Sequence, residues 1–201
     1  MKIGILGAGA IGTAVATRLL AGGHQVVLSN SRGPHTLADT VRELGPGASA
    51  ADRQEAARSE LVVLAVPGDR TAEALADLPD WQGRVLVDAT NDYRTPAPGA
   101  GEPTSSEAVA QQAPGARVIK AFNHLFAATL RADPRRPEGN RVLFVSGDDQ
   151  EAKTMFTTLL TGLGFAPINL GALAGGGRLH QVPQGPLVGQ DLLRLTDNRA
   201  Q

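Results

Sequence analysis

Three glycines at fixed spacing, directly behind a short apolar run, constrain this chain more than any other feature. Lys2–Leu6 reads as a buried strand, and Gly7-Ala8-Gly9-Ala10-Ile11-Gly12 follows it at the opening of a helix-like segment. Gly7 permits a tight turn, Gly9 lets backbone approach a pyrophosphate, and Gly12 allows helix to pack closely on strand. The helix start then offers unpaired N–H groups and a partial positive charge to phosphates. A glycine triplet alone is a weak signal. In this strand–turn–helix context it is the fingerprint of a βαβ dinucleotide-binding unit.

The remaining residues repeat that alternation. Strands are expected at Lys2–Leu6, Gln25–Ser29, Leu61–Val66, Arg84–Ala89, Arg117–Phe122, Arg141–Ser146 and Phe165–Leu170. Several are rich in Val, Ile and Leu with little polar alternation, as in parallel strands covered on both faces. Helices are expected at Ile11–Ala21, Thr36–Leu44, Arg70–Leu78, Ser105–Gln112, His124–Arg131 and Gln150–Leu163, with a weaker one over Leu187–Leu195. The pattern predicts an α/β fold, a Rossmann-like, doubly wound, mostly parallel sheet. One domain, residues 1–178, would bind the dinucleotide. A small C-terminal extension, residues 179–201, would complete the cleft or a dimer interface. Two Pro- or Gly-rich stretches, Asn91–Pro103 and Ala132–Asn140, read as long loops, either lids or solvated surface.

Composition narrows the function classes. A formal net charge of −1 leaves no general basic field for nucleic acid or anionic lipid. One Trp, one Tyr and five Phe are too few for a base-stacking platform. With no Cys, disulfides, thiolate metal sites and a cysteine nucleophile are excluded, and the cytoplasm is the default location. Met1–Ala21 mimics a signal peptide, but Gly4, Gly7, Gly9 and Gly12 interrupt its apolar core. Thr154–Gly177 is uncharged and long enough for a bilayer, yet its Gly and Pro content reads as a helix end, a strand and a loop. No membrane span is expected.

The end of the second strand bears on which nucleotide binds. An NAD site places a carboxylate there for the ribose 2′-hydroxyl. This chain has Leu28-Ser29-Asn30-Ser31-Arg32-Gly33-Pro34, with no carboxylate until Asp39. Arg32 can fork onto a 2′-phosphate while Ser31 and Asn30 donate to it, so the expected cofactor is NADP(H). The third to fifth strands end at Ala65-Val66-Pro67, Ala89-Thr90-Asn91 and Ala121-Phe122-Asn123. Ala65, Val66, Pro67, Ala89, Asn91, Ala121 and Asn123 are candidates to line the nicotinamide half.

Few residues suggest acid–base chemistry. His124 can donate to an acceptor ring or cap the following helix. His180 reads as a surface histidine or as part of a loop closing over the cleft. Lys120 alternates with Val118 and Phe122, which points it inward near Asp88 as an ion pair or against cofactor charge. Asp148 and Asp149 read as a pair favouring a helix dipole rather than as metal ligands. No metal site is expected.

The Gly7–Gly12 turn, Ser29–Pro34, Lys120-Ala121-Phe122-Asn123, Gly147-Asp148-Asp149 and Phe165–Leu173 with its following glycines together resemble the NADPH-dependent reductases of the deazaflavin coenzyme F420. They are also similar to the oxidoreductase domains of metal-reducing membrane proteins. The resemblance implies direct hydride transfer between NADP(H) and a stacked second ring, coenzyme F420 or a flavin. Asn123 and His124 would then be the residues at the reacting centre, and Arg94, Arg135, Arg136 and Arg178 would be available to a polyanionic tail. The archaeal coenzyme reductases are expected to carry His where this chain has Asn123. A small imine or carbonyl is the alternative acceptor, although relatives using one have a large helical C-terminal domain. A non-catalytic NADP(H) sensor is the third reading. A homodimer is expected, because the site needs more walls than one such domain provides.

Overall fold

Val, Ile and Leu in the strands alternate between two hydrophobic clusters, one on each face of a single sheet. Ile3, Ile5, Val26, Leu28, Leu61, Val63, Val85, Val87 and Ile119 enter one cluster. Leu6, Val27, Val62, Leu64, Leu86 and Val118 enter the other. That double burial is why the strands read as continuous apolar runs. The computed structural model describes residues 1–93, 99 and 101–195.

Six parallel strands form the body: β1 (Lys2–Leu6), β2 (Gln25–Ser29), β3 (Ala48–Ala50), β4 (Leu61–Leu64), β5 (Val85–Asp88) and β6 (Arg117–Lys120), in spatial order 3-2-1-4-5-6. This is the order of a doubly wound dinucleotide fold. Beyond β6 lies antiparallel β8 (Gly139–Gly147), which pairs with β7 (Arg135–Arg136), β9 (Ala166–Asn169) and β10 (Leu193–Leu195). Helices α1 (Ala10–Ala21), α2 (Ala38–Leu44), α6 (Ala127–Arg131) and α7 (Gln150–Gly162) cover one face. Helices α3 (Arg53–Ala57), α4 (Thr71–Leu75) and α5 (Ser105–Gln112) cover the other. A last short helix, α8 (Gly176–Leu179), follows β9. No helix among the described residues is long and apolar enough to cross a membrane.

Several expectations need correction. Ala132–Asn140 is not a loose loop, because Arg135 pairs with Asn140 and Arg136 with Gly139 in a tight hairpin. Leu187–Leu195 is not a helix, because its end pairs as β10 with Arg141, Asn140 and Gly139 of β8. Periodicity cannot foresee a strand that exists only through its partner. For the same reason Ala-Ser-Ala gives no sign of β3, which is defined by its pairing with β2, and the five-residue α3 is too short for a periodic pattern, although Asp52 caps it by accepting the Glu55 N–H at 2.7 Å. Helix α3 also explains Gly4, where a Cβ would lie 2.0 Å from the Ala56 carbonyl oxygen.

Candidate active site

The three glycines of the turn separate into two kinds. Gly7 has φ +109°, and a Cβ there would stand 2.4 Å from the Ala65 carbonyl oxygen. A Cβ on Gly12 would meet the Gly7 carbonyl oxygen at 1.9 Å. Both are demanded by the protein's own packing. Gly9 is different, because a Cβ there meets no protein atom within 4 Å. Its missing side chain leaves an open cradle at the start of α1 that packing within the protein does not require. Gly9 N-caps α1 without any side-chain hydrogen bond, and no acidic residue occupies the first turn. The free N–H groups and the positive end of the helix therefore face outward at this cradle.

A cleft of about 970 Å³ extends from the turn. Gly7, Ala8, Gly9, Asn30, Ser31, Arg32, Ala65, Val66 and Pro67, all candidates from the sequence, line it together. Ala10 and Ile11 open α1 beside it, and Gly12 is buried beneath the turn. Asn30 shapes the loop, accepting the Arg32 backbone N–H at 3.0 Å and donating to Thr36 at 2.8 Å. Ser31 and Arg32 are exposed, and among the described residues Arg32 makes no ion pair. Sequence reasoning missed Arg53, Arg70 and Glu73 on the opposite wall. Both of those arginines are engaged, Arg70 with the Glu73 carboxylate at 3.1 Å and Arg53 with the Glu73 backbone carbonyl. Among the arginines lining the cleft, Arg32 is thus the one whose side chain makes neither an ion pair nor a hydrogen bond among the described residues.

Past Pro67 the edge closes over. Pro67 bridges to Asn91, and the Asn91 side-chain amide donates to the Asn123 carbonyl at 3.0 Å. This links the ends of β4, β5 and β6, with Ala89 and Ala121 buried beside them. Phe122 takes φ +65°, a conformation that costs a non-glycine residue roughly 1–2 kcal/mol. Its ring is buried edge-on to Phe156 at 5.7 Å, which holds the turn and delivers Asn123 inward. The Asn123 amide donates to the His180 carbonyl. The side-chain oxygens of both Asn91 and Asn123 are buried without a donor, so this end of the edge has unused acceptor capacity.

Asp88 and Lys120, both fully buried, form an ion pair of 3.5 Å beneath these loops. Asp88 accepts from the Thr90 backbone and hydroxyl and from Ser106, and Lys120 donates to Ser105 and Ser106. The ion pair inferred from alternation is present. His180 is corrected: it is fully buried and its Nε2 contacts Ser146 Oγ at 2.9 Å. His124 does not cap α6, whose N-cap is Phe126. Its ring is buried against Phe144, with centroids 4.7 Å apart, and neither ring nitrogen has a hydrogen bond of good geometry, although the Val142 backbone lies close enough to favour the charged form. Burial lowers the His124 imidazole to about 4, outweighing the nearby Val142 backbone and Asp191. Burial, then the Lys120 charge and His124, lower His180 to about 2. Both rings are neutral at pH 7 and sit inside the protein rather than at the cleft.

The other candidate groups are structural. Asp149 caps α7 through the Ala152 N–H at 2.7 Å, and Asp148 accepts the Leu173 N–H at 3.0 Å. Arg135 donates to the Leu163 and Gly162 carbonyls at the end of α7. Arg178 donates to the Ala174, Gly99 and Glu102 carbonyls. Arg136 is exposed on β7, and Arg94 lies outside the described residues.

Comparison with known proteins agrees with this geometry. Residues 2–92 match the family described as NADP oxidoreductase, coenzyme F420-dependent. A structure assigned to an F420-dependent NADP-reductase from Arthrobacter sp. FB24 is 31% identical, with a TM-score of 0.69 and 86% of each chain covered. The chain belongs to the coenzyme F420-dependent NADP oxidoreductase family. A hypothetical protein, SMa0349, from Sinorhizobium meliloti matches this family member at 41% identity and a TM-score of 0.88, over 96% of each chain. The metalloreductase STEAP3 of Rattus norvegicus is 32% identical over 90% of this chain. The chain spans 36% of the length of that relative.

Proposed function

We propose that this member of the family transfers hydride between NADP(H) and the deazaflavin coenzyme F420. The observation that carries the dinucleotide half is the Gly9 cradle beside Arg32, an anion site next to an uncommitted cation. Gly7, Ala8 and Gly9 with the start of α1 would hold the pyrophosphate, and Ser31 and Arg32 the 2′-phosphate. Ala65, Val66, Pro67, Ala89, Asn91, Ala121 and Asn123 would border the nicotinamide half, with Asn123 nearest the reacting centre. When bound, the nicotinamide supplies or accepts the hydride at its C4 carbon. The chain's own part is to bind, to orient and to exclude water, which suits a reaction that depends on stacked geometry more than on a general acid. Asn123 and His124 are each 2% exposed, so contact of either with a ligand requires the loops after β5 and β6 to move, and both remain our candidates at the reacting centre.

The test mixes purified protein, NADPH and oxidised coenzyme F420 and follows the deazaflavin's visible absorbance against a flavin control. Rapid, NADPH-specific bleaching is expected. Confirmed NADPH binding without bleaching would discard the deazaflavin and send the search to flavins, imines and carbonyls. We also propose a homodimer in which residues 179–201 complete the cleft or the interface. Leu195, 72% exposed on the outermost strand β10, supports that role, and a monomeric mass by light scattering with activity retained would refute it.

A further inference from the structure

The chain has few aromatics, and their distribution is uneven. Trp81, Phe122, Phe144, Phe156 and Phe165 are all buried in the core. Phe126 is 72% exposed and Tyr93 is 71% exposed. Both exposed rings lie on the carboxyl edge of the sheet. Tyr93 stands two residues beyond Asn91 on the loop after β5, and Phe126 stands three residues beyond Asn123 on the loop after β6. The hydrogen bond from Asn91 to the Asn123 carbonyl joins those two loops.

The fold does not account for a phenylalanine at 126. The side chain contributes little to the core, which is supplied on either side by Leu125 and Leu130, at 4% and 0% exposure. Residue 126 is also the N-cap of α6 and makes no side-chain capping bond. Ser, Thr, Asp or Asn is strongly preferred at that position because it satisfies a free N–H. The chain therefore gives up a cap and leaves a large apolar ring in water. The backbone at Phe126 is nonetheless held firmly, its carbonyl accepting the Leu130 N–H at 2.9 Å. Helix α6 itself is anchored on α1, where Arg131 donates to the Thr13 hydroxyl at 2.9 Å. Both helices follow parallel strands and so start at the same edge, which puts the exposed Phe126 ring on the edge where the glycine turn also lies.

We infer that Phe126 is a specificity-determining wall of the acceptor site, against which a planar conjugated heterocycle stacks before hydride transfer. The inference rests on the reading under Proposed function and adds to it the residue that selects flat acceptors over small aliphatic carbonyls or imines. A flat ring brought face to face with Phe126 buries apolar area on both partners and gains stacking, whereas a small aliphatic acceptor covers little of the ring.

The experiment uses the full chain saturated with NADP+, which has no hydride to give. Riboflavin and oxidised coenzyme F420 are each titrated by their own fluorescence. NADPH binding is measured separately by nicotinamide fluorescence in every variant. Phe126→Ala should weaken at least one of the two planar probes about tenfold or more, Phe126→Trp should keep affinity within about threefold, and NADPH binding should be unchanged in both. Because the side chain is exposed, neither substitution is expected to disturb folding, and thermal melts check this. Equal probe affinity in wild type and Phe126→Ala overturns the inference, as does a wild type that binds NADPH but neither probe. Loss of NADPH binding in Phe126→Ala would mean that the ring serves the dinucleotide and would overturn it too. A wild type that fails to bind NADPH defeats the functional reading itself, a result distinct from these.

Discussion

The two ends of the sheet's carboxyl edge are built on opposite plans. At β1 and β2 the edge is an open cleft made of backbone: a glycine turn, a helix start and an exposed arginine. At β5 and β6 it is closed, and polar side chains lie under it without contact with water: Asp88, Lys120, Asn123, His124 and His180 are each at most 2% exposed. An open, backbone-made site depends on the absence of side chains. A closed polar site depends on partners, because an unpaired buried group, such as the side-chain oxygen of Asn123, retains its full desolvation cost.

The sharpest break in this comparison is at the closed end. Lys120→Met leaves the Asp88 carboxylate buried without its counter-ion and should destabilise the protein by about 3 kcal/mol, the lower end for a broken buried pair. The low end applies because Thr90 and Ser106 still donate to Asp88. Urea denaturation measures this, and the double change Lys120→Met with Asp88→Asn should recover part of the loss. An unchanged midpoint in the single variant would show that the pair contributes nothing net.

Acid probes the same end. The His124 ring titrates near 4 when folded and near 6.5 when unfolded, so the unfolded chain takes up the proton first. Stability is full above about pH 6.5 and falls as pH drops towards 4, by on the order of 3 kcal/mol from this ring alone. His180, held still lower, adds a loss in the same direction that continues below pH 4. Denaturation midpoints at pH 7 and pH 4.5 should separate strongly in wild type and less in His124→Leu. The same separation in both would remove His124 from the account.

The open end gives the smallest effect on stability and the cleanest contrast. Gly12→Ala drives a methyl into the Gly7 carbonyl and should destabilise by about 1–3 kcal/mol. Gly9→Ala meets no protein atom, so the fold should keep its stability while NADPH affinity drops about tenfold. Equal NADPH affinity in Gly9→Ala would mean that the cradle holds no pyrophosphate.

The difference between the two ends also explains what could be read in advance. Gly7, Gly9 and Gly12 are local: their spacing and their position behind an apolar run dictate the turn whatever lies elsewhere. Strands β1 and β2 were legible to the residue, since a run buried on both faces has no other soluble use. Lys120 was legible through alternation, because a charge in register with buried neighbours needs a partner. His180 was not, because a loop histidine in sequence carries no mark of the Ser146, Asn123 and Phe144 that enclose it. Nor was β10, which is a strand only because β8 lies beside it.

By itself, then, the sequence determined the doubly wound fold, the dinucleotide turn and the cation at the end of β2, all of which follow from local spacing and two-faced burial. Only the tertiary structure decided which arginines are already engaged, which histidines are enclosed and neutral, and which aromatic rings are left outside. Those properties depend on neighbours far apart along the chain, and no local pattern of residues encodes who those neighbours are.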